Sequence, residues 1–253
     1  VGNDINRAFT QVEHRYPMLS LGNTYSIEEV AAFYDRVSTG LMGEEFELVG
    51  ELKFDGTSIS LIYEHGRLVQ AVTRGDGTRG DDVTENVKTI RSIPLQLRGN
   101  DYPDSFEIRG EILMPWAVFE ALNKEREEQE EPLFANPRNC AAGSLRQADP
   151  AIARERNLQV FIFNVQSVNN GDAAQFGNSH FDQLEYLCNG CQFKTTGFSH
   201  CDNADAVLDA IKHIGDTRYD VDYPIDGAVV KVNELDIRQK MGERTKTPKW
   251  AVA

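Results

Sequence analysis

Apolar and polar positions along the chain follow two periods, and the switches between them mark out the elements. After Ser26 the apolar residues recur at helical spacing, and Ser26 followed by Glu29 has the form of a capping box. A helix is therefore expected over about 27–39. Three strand-like runs follow at 46–52, 58–64 and 67–74, with His65-Gly66 as a tight turn between the last two. The stretch 75–82 is too rich in glycine and aspartate to be regular, and a mobile loop over a bound phosphate or ribose is expected there. A short helix should run from 82 to about 90. Further strands are expected at 106–114, 159–168 and 225–232, and another begins at 248–250. Helices should cover 115 to about 129, 136–146, 179–189, 203–214 and 235–241, with Pro115 at a helix start. Residues 1–22, broken by Pro17 and Gly22, read as an ordered loop. The charge run at 125–131 reads as a solvated helix end. Neither an internal repeat nor a low-complexity linker interrupts the pattern.

Composition narrows the class. With 253 residues, 40% of them hydrophobic, the chain can bury the core of one large domain or two small ones. No apolar run approaches the roughly 18 residues of a membrane span, and no signal-peptide pattern opens the chain. Val1 is not an initiator methionine, and Trp250-Ala251-Val252-Ala253 stops within a strand-like run, so both ends read as cuts in a longer protein. The four cysteines, Cys140, Cys188, Cys191 and Cys201, are too few for a disulfide scaffold, so a reducing cytoplasm is expected. Cys188-x-x-Cys191 with His200 and Cys201 matches no common zinc spacing. The net charge of −14 argues against a strongly nucleic-acid-binding surface. Contacts to DNA phosphates would have to come from a local basic patch or from other parts of a longer protein.

The chemistry gathers at strand ends. Glu51-Leu52-Lys53-Phe54-Asp55-Gly56 sets one lysine between two apolar-rich runs. Such a lysine, if burial and nearby cations lower its pKa from about 10.4, can attack as an amine. Asp55 could hold its ammonium, and Gly56 would let backbone approach a ligand closely. The competing reading is a surface lysine before an Asp-Gly turn. Arg74 and Lys231 could neutralise an α-phosphate. Glu51 and Glu111 could accept hydrogen bonds from an adenine amino group or a ribose. Asp226 could bind a metal or its waters, and Phe163 could stack on a base or simply fill a core. Strand alternation puts Glu51 and Lys53 on one face, and Val229 and Lys231 on one face. Arg138 and Arg146 lie eight apart, about two helical turns, so both can point one way.

Lys-x-Asp-Gly at 53–56, Glu-Ile-Arg-Gly-Glu at 107–111 and Asp-Gly-Ala-Val-Val-Lys at 226–231 resemble three signature motifs of covalent nucleotidyltransferases. Two longer stretches narrow this resemblance to bacterial NAD⁺-dependent DNA ligases. They are Thr73-Arg74-Gly75-Asp76-Gly77, continuing to Arg91, and Asn136-Pro137-Arg138-Asn139, continuing to Gln147. Pro17-Met18-Leu19-Ser20-Leu21 agrees. The resemblance implies an adenylation domain over 1–253 with an antiparallel-sheet-rich α+β nucleotidyltransferase fold, like an ATP-grasp ligase core, with peripheral helices and AMP held between two sheets. It implies Lys53 as the adenylated lysine, with Asp55, Arg74, Glu111, Asp226 and Lys231 also catalytic. Glu51 and Lys231 would contact adenine, Ser20 and Leu21 would line the nucleoside pocket, and Phe163 would stack on the base. Glu111 would meet the ribose or, like Asp226, a metal-bound water. Arg138, Arg146 and Arg218 would serve nick phosphates or the nicotinamide mononucleotide half.

The implied cofactors are NAD⁺ and Mg²⁺, and the implied partner is nicked duplex DNA. The implied setting is the bacterial cytoplasm, with the protein as a monomer. The family's N-terminal nicotinamide-mononucleotide-binding helical domain would lie outside this chain, as would its OB-fold, zinc, helix-hairpin-helix and BRCT parts. Two other readings compete: an ATP- or GTP-dependent relative, and a module that holds AMP or NAD⁺ without turning it over.

Overall fold

The computed structural model describes residues 9–98, 102–169 and 176–253. Part of the expected loop at 1–22 therefore lies outside the described residues. In the rest of it a short strand, β1 (Gln11–Glu13), has formed where no strand was expected. Helix α1 (Ile27–Gly40) starts as its sequence implies. Ser26 accepts from the Glu29 backbone N–H, while the Glu29 carboxylate reaches back to the Tyr25 N–H, one residue earlier than a capping box requires. Next come β2 (Leu48–Phe54), β3 (Thr57–Glu64) and β4 (Arg67–Thr73). His65 and Gly66 both have positive φ, 47° and 73°, as a two-residue hairpin turn between right-twisted strands demands.

The stretch at 75–82 is more ordered than its composition suggests. It contains β5 (Arg79–Asp81), which pairs antiparallel with β1. Asp76 closes the turn before it by accepting from the backbone N–H groups of Thr78 and Arg79 and from the Thr78 hydroxyl. Asparagine and aspartate build such turns because the short side chain mimics a backbone acceptor. The Gly77 carbonyl then accepts from the Met18 N–H, tying the loop to the 14–18 segment.

The chain continues through α2 (Thr84–Val87), β6 (Ser105–Leu113), α3 (Trp116–Glu128) and α4 (Pro137–Leu145). Helix α4 has Asn136 as its side-chain cap and Pro137 in its first turn. A short α5 (Pro150–Glu155), not expected from the pattern, precedes β7 (Gln159–Val168). Then come α6 (His180–Asn189), β8 (Phe198–Cys201), α7 (Ala204–Thr217), β9 (Ile225–Val232), α8 (Leu235–Met241) and β10 (Ala251–Val252). Strand β8 was also missed. It has only four residues, too few for a two-residue alternation to stand out.

The longer strands form two four-stranded antiparallel sheets, ordered β10-β9-β2-β8 and β4-β3-β6-β7. The antiparallel-rich α+β expectation is met. Each sheet buries one face under helices. Behind the first, Val30, Phe33 and Val37 of α1 and Val207 of α7 pack on Leu48, Val230 and Val232. Behind the second, Ile59, Leu61, Tyr63, Ile108 and Ile162 meet α2, α4 and the aromatic set Phe106, Phe176 and Phe193. The opposite faces carry the charged residues, so alternation sends apolar side chains to the helices and polar ones to the space between the sheets.

Three links hold the sheets in register with one another. The chain passes directly from β2 to β3 through Asp55-Gly56. Residues 194–197 tie β7 to β2: Ile162 bonds with Lys194 and Thr196, and Leu52 with Gly197. The third link is a side chain, Lys231, whose Nζ donates to the Phe163 carbonyl 2.9 Å away. At the first link Gly56 lies so close to β6 that a Cβ would fall 2.3 Å from the Ile112 carbonyl oxygen. This glycine is demanded by strand packing, where the sequence suggested approach to a ligand.

Gly56→Ala should therefore cost about 1–3 kcal/mol, because backbone must shift to admit the methyl. Gly143→Ala is the control. A Cβ there meets nothing within 4 Å, and the helix should gain about 0.5–1 kcal/mol. Urea denaturation of both variants measures the pair.

Candidate active site

Lys53 is the penultimate residue of β2, at the corner where the chain leaves one sheet for the other. Its Nζ donates to both Asp226 oxygens at 2.7 Å, with both side chains partly open to solvent. Parity alone would turn Asp226 away from the Lys53 face. A bulge corrects this: Lys53 pairs with Gly227 and Phe54 with Ile225, leaving Asp226 as the extra residue. Bulges re-aim side chains in this way. Asp55, expected to hold the lysine, instead takes Arg138, with Oδ1 3.1 Å from Nη1. Asp55 faces the start of α4 because its own N–H is bonded to the Pro224 carbonyl and the chain is already turning.

On the second sheet Glu111 is half-buried and accepts from the Ser58 hydroxyl at 2.7 Å. Burial raises its carboxyl to about 7, against the opposing pull of Ser58, Arg138, Arg74 and the Gly56 N–H. Near neutrality it is poised between acceptor and donor. Arg74 lies within electrostatic range of it, at the end of β4, and makes no side-chain hydrogen bond among the described residues.

Glu51 is two residues before Lys53 on the same face but lies deeper, with 1% of its surface exposed. Lys231 Nζ sits 2.8 Å and 3.0 Å from its two oxygens. His180 Nε2 lies 2.7 Å from Oε1, and the Thr196 hydroxyl donates to Oε2 at 2.9 Å. Burial alone would raise the Glu51 pKa, but the charge of Lys231 and the His180 and Lys231 hydrogen bonds hold it at about 2. Burial depresses His180 to about 3, with Arg238 and Lys231 adding to the effect and Glu51 opposing it. Burial also lowers Lys231 against the pull of Glu51. The pair is thus carboxylate and ammonium, beside a neutral imidazole.

The Phe163 ring is half-buried and belongs to none of the hydrophobic clusters among the described residues. The Lys231 ammonium lies 5.4 Å from its centroid. That placement leaves the ring available for stacking. Ser20 and Leu21 lie on the segment docked by Arg109, whose guanidinium holds the Tyr16 and Pro17 carbonyls at 2.6 and 3.0 Å and is braced by Glu107. Two of the three charges of Glu-Ile-Arg-Gly-Glu, Glu107 and Arg109, thus fasten the loop. Arg146 caps the end of α4, with Nε bonded to the Ala142 carbonyl. Arg218 ends α7 over the exposed ring of Tyr219, and no described contact joins it to the Lys53 group.

Sequence reasoning missed His180, Thr196 and Arg109. His180 lies 129 residues from the glutamate it serves and carries no local signal. Arg109 had one: an arginine alternating with glutamates inside a strand that must be buried. The cysteines form no site. Cys188 is exposed on α6 while Cys191 and Cys201 are buried, and no cluster of three potential metal ligands occurs among the described residues. Two cavities of about 450 and 460 Å³ lie beside α5 and α1, and Lys53 lines neither.

The buried imidazole has a thermodynamic consequence. His180 stays neutral in the fold down to about 3, whereas the unfolded chain protonates it near 6.5. Below 6.5 the unfolded state binds the extra proton, so stability falls with pH from 6.5 toward 3, by about 2 kcal/mol by pH 5. Glu51 adds a second loss between 4.5 and about 2. His180→Gln keeps an N–H donor but cannot titrate, so its denaturation midpoint should drop less than the parent's between about pH 7 and pH 5. Equal drops would contradict the assignment.

The sequence has relatives of known family. A profile of the NAD-dependent DNA ligase adenylation domain matches residues 6–253. The DNA ligases of Parabacteroides distasonis and Bacteroides fragilis are each 51% identical to the chain over 254 residues, and that of Phocaeicola vulgatus is 52% identical over 254. Each alignment takes in all of this chain and 37% of the relative, so the chain spans little more than a third of their length. On this match the chain belongs to the NAD-dependent DNA ligase adenylation domain family.

Proposed function

We propose that this chain performs the nucleotidyl transfer of an NAD⁺-dependent DNA ligase, with Lys53 as the nucleophile. The observation that carries the reading is the placement of the Lys53 amine at the corner where β2 runs into β3, held by Asp226, with β3 pairing in turn to the strand that carries Glu111. The amine attacks the α-phosphorus of NAD⁺. A P–N bond forms, the pyrophosphate P–O bond breaks, and nicotinamide mononucleotide leaves. Before attack the ammonium must shed a proton, and the Asp226 carboxylate at 2.7 Å is the acceptor in reach. AMP then passes to the 5′-phosphate of a nick, and the 3′-hydroxyl displaces it to seal the strand.

Electrostatic stabilisation does most of the work in phosphoryl chemistry. Arg74, with no hydrogen-bonded side-chain partner among the described residues, is free to meet the α-phosphate. Phe163 offers a ring to the base, and Lys231 stands beside it. Glu111 and Asp226 would offer carboxylate oxygens to the waters of an Mg²⁺, an ion that keeps most of its hydration shell. Bound there, the ion would neutralise charge on the phosphoryl oxygens. Arg138 and Arg146 on α4 are assigned to nick phosphates or the nicotinamide half. Arg218 carries the weakest case of the three, since it stacks on an exposed tyrosine. The partner domains, the cytoplasmic setting and the monomeric state implied by the motifs complete the proposal. No helix of the described residues is long and apolar enough to cross a membrane.

Incubation with NAD⁺ and Mg²⁺, followed by intact mass and peptide mapping, should place one AMP on the peptide containing Lys53. Lys53→Ala should abolish the adduct completely, and an adduct that survives it sinks the assignment. An adduct formed from ATP in place of NAD⁺ would favour the ATP-dependent relative.

A further inference from the structure

The Glu51–Lys231 pair is closed on itself to an unusual degree. A carboxylate offers roughly four lone-pair sites and an ammonium three N–H donors. His180, Thr196 and both oxygen contacts of Lys231 fill the acceptors of Glu51. The two oxygens of Glu51 and the Phe163 carbonyl fill the donors of Lys231. Neither residue can touch a nucleotide until one bond is exchanged. The bonds to Glu51 are buried, and breaking them would strand a carboxylate out of water. The bond to the Phe163 carbonyl is only part-buried and belongs to the residue whose half-buried ring lies beside the same ammonium. That is the bond to exchange.

We propose that His180 is a positioning residue for Lys231. Its Nε2–H, together with the Thr196 hydroxyl, pins the Glu51 carboxylate so that the ammonium keeps its place beside the Phe163 ring when it trades the Phe163 carbonyl for the nucleotide. The proposal rests on the nucleotide-binding reading above. The tautomer follows from the nearer partner: ionised Glu51 only accepts, so the neutral imidazole carries its proton on Nε2, and the longer 3.4 Å approach of Lys231 Nζ to that atom is a contact between two donors. His180 is wholly buried, and its Nδ1 has no partner among the described residues. An apolar side chain would avoid that unpaired atom, so packing alone does not account for a histidine here. The groups facing the imidazole are Glu51 from β2, Lys231 from β9 and Arg238 from α8. Arg238 is itself fixed, with Nε donating to the Val232 carbonyl at 2.6 Å and its guanidinium 4.4 Å from the Trp250 ring centroid. The network therefore has one bond open to exchange and rigid supports elsewhere.

Calorimetric titration of the chain with AMP tests this. His180→Phe, which removes the donor, should weaken AMP binding about tenfold, the loss of one charge-assisted hydrogen bond. His180→Gln, which returns an N–H donor, should recover most of that loss. In a Glu51→Gln, Lys231→Met background, the further change His180→Phe should cost nothing more, because a residue acting through the pair has no effect once the pair is gone. A loss of similar size in that background, or an unaltered affinity for His180→Phe in the parent, overturns the positioning role. If His180→Phe fails to fold, the Gln variant carries the test: an affinity as low as that of Lys231→Met would overturn the role, and one near the parent's supports it. A parent chain that binds no AMP would instead overturn the nucleotide reading, a failure distinct from that of His180.

Discussion

The buried ion pair between Glu51 and Lys231 is the constraint on which the rest of the site depends. It joins the two central strands of the first sheet, and through the Phe163 carbonyl it reaches the edge strand of the second. Pairs of this kind are poor sources of stability, since desolvation offsets most of the attraction. Removing one partner alone, however, costs about 3–5 kcal/mol. A well-packed apolar pair would serve the fold as well. The chain instead surrounds the pair with a histidine, a threonine and a backbone carbonyl. That investment is understandable where a ligand must later be met by the same ammonium.

Above this floor the second lysine plays the opposite part. Lys53 is partly open and held by a single carboxylate that a strand bulge turns toward it. One lysine is locked and the other poised, and the difference lies in depth: two residues along one face of β2, from Glu51 to Lys53, lead from a sealed network to a partly exposed corner. Glu111, with its carboxyl raised to about 7, occupies the facing sheet at the same end. The polar faces of two sheets thus enclose chemistry that neither could hold alone.

Much of this was legible in the sequence. The long strands and helices obeyed their periods, and β7, β9 and α8 fall where the pattern put them. Motif spacing singled out Lys53, Asp226, Glu51 and Lys231, which the fold joins in two ion pairs, but Asp226 reaches Lys53 through a bulge that alternation does not foresee. What was not legible was pairing across distance. Asp55 was expected to hold Lys53 because it is near in sequence, yet the turn points it to Arg138, and Asp226 takes its place. His180 and Thr196 reach Glu51 only because α6 and the 194–197 link fold over the edge of the sheet. Strands as short as β1, β5 and β8 are defined by their partners, and no local pattern could have announced them.

A crystal structure of the chain with AMP bound tests the account most directly. It should show the nucleotide between the sheets with its base on the Phe163 ring, and Lys231 Nζ moved from the Phe163 carbonyl to the ligand. Glu51 should remain within hydrogen-bond distance of His180 and Thr196. AMP bound with Lys231 still on the Phe163 carbonyl, or with Glu51 drawn away from His180, would contradict it.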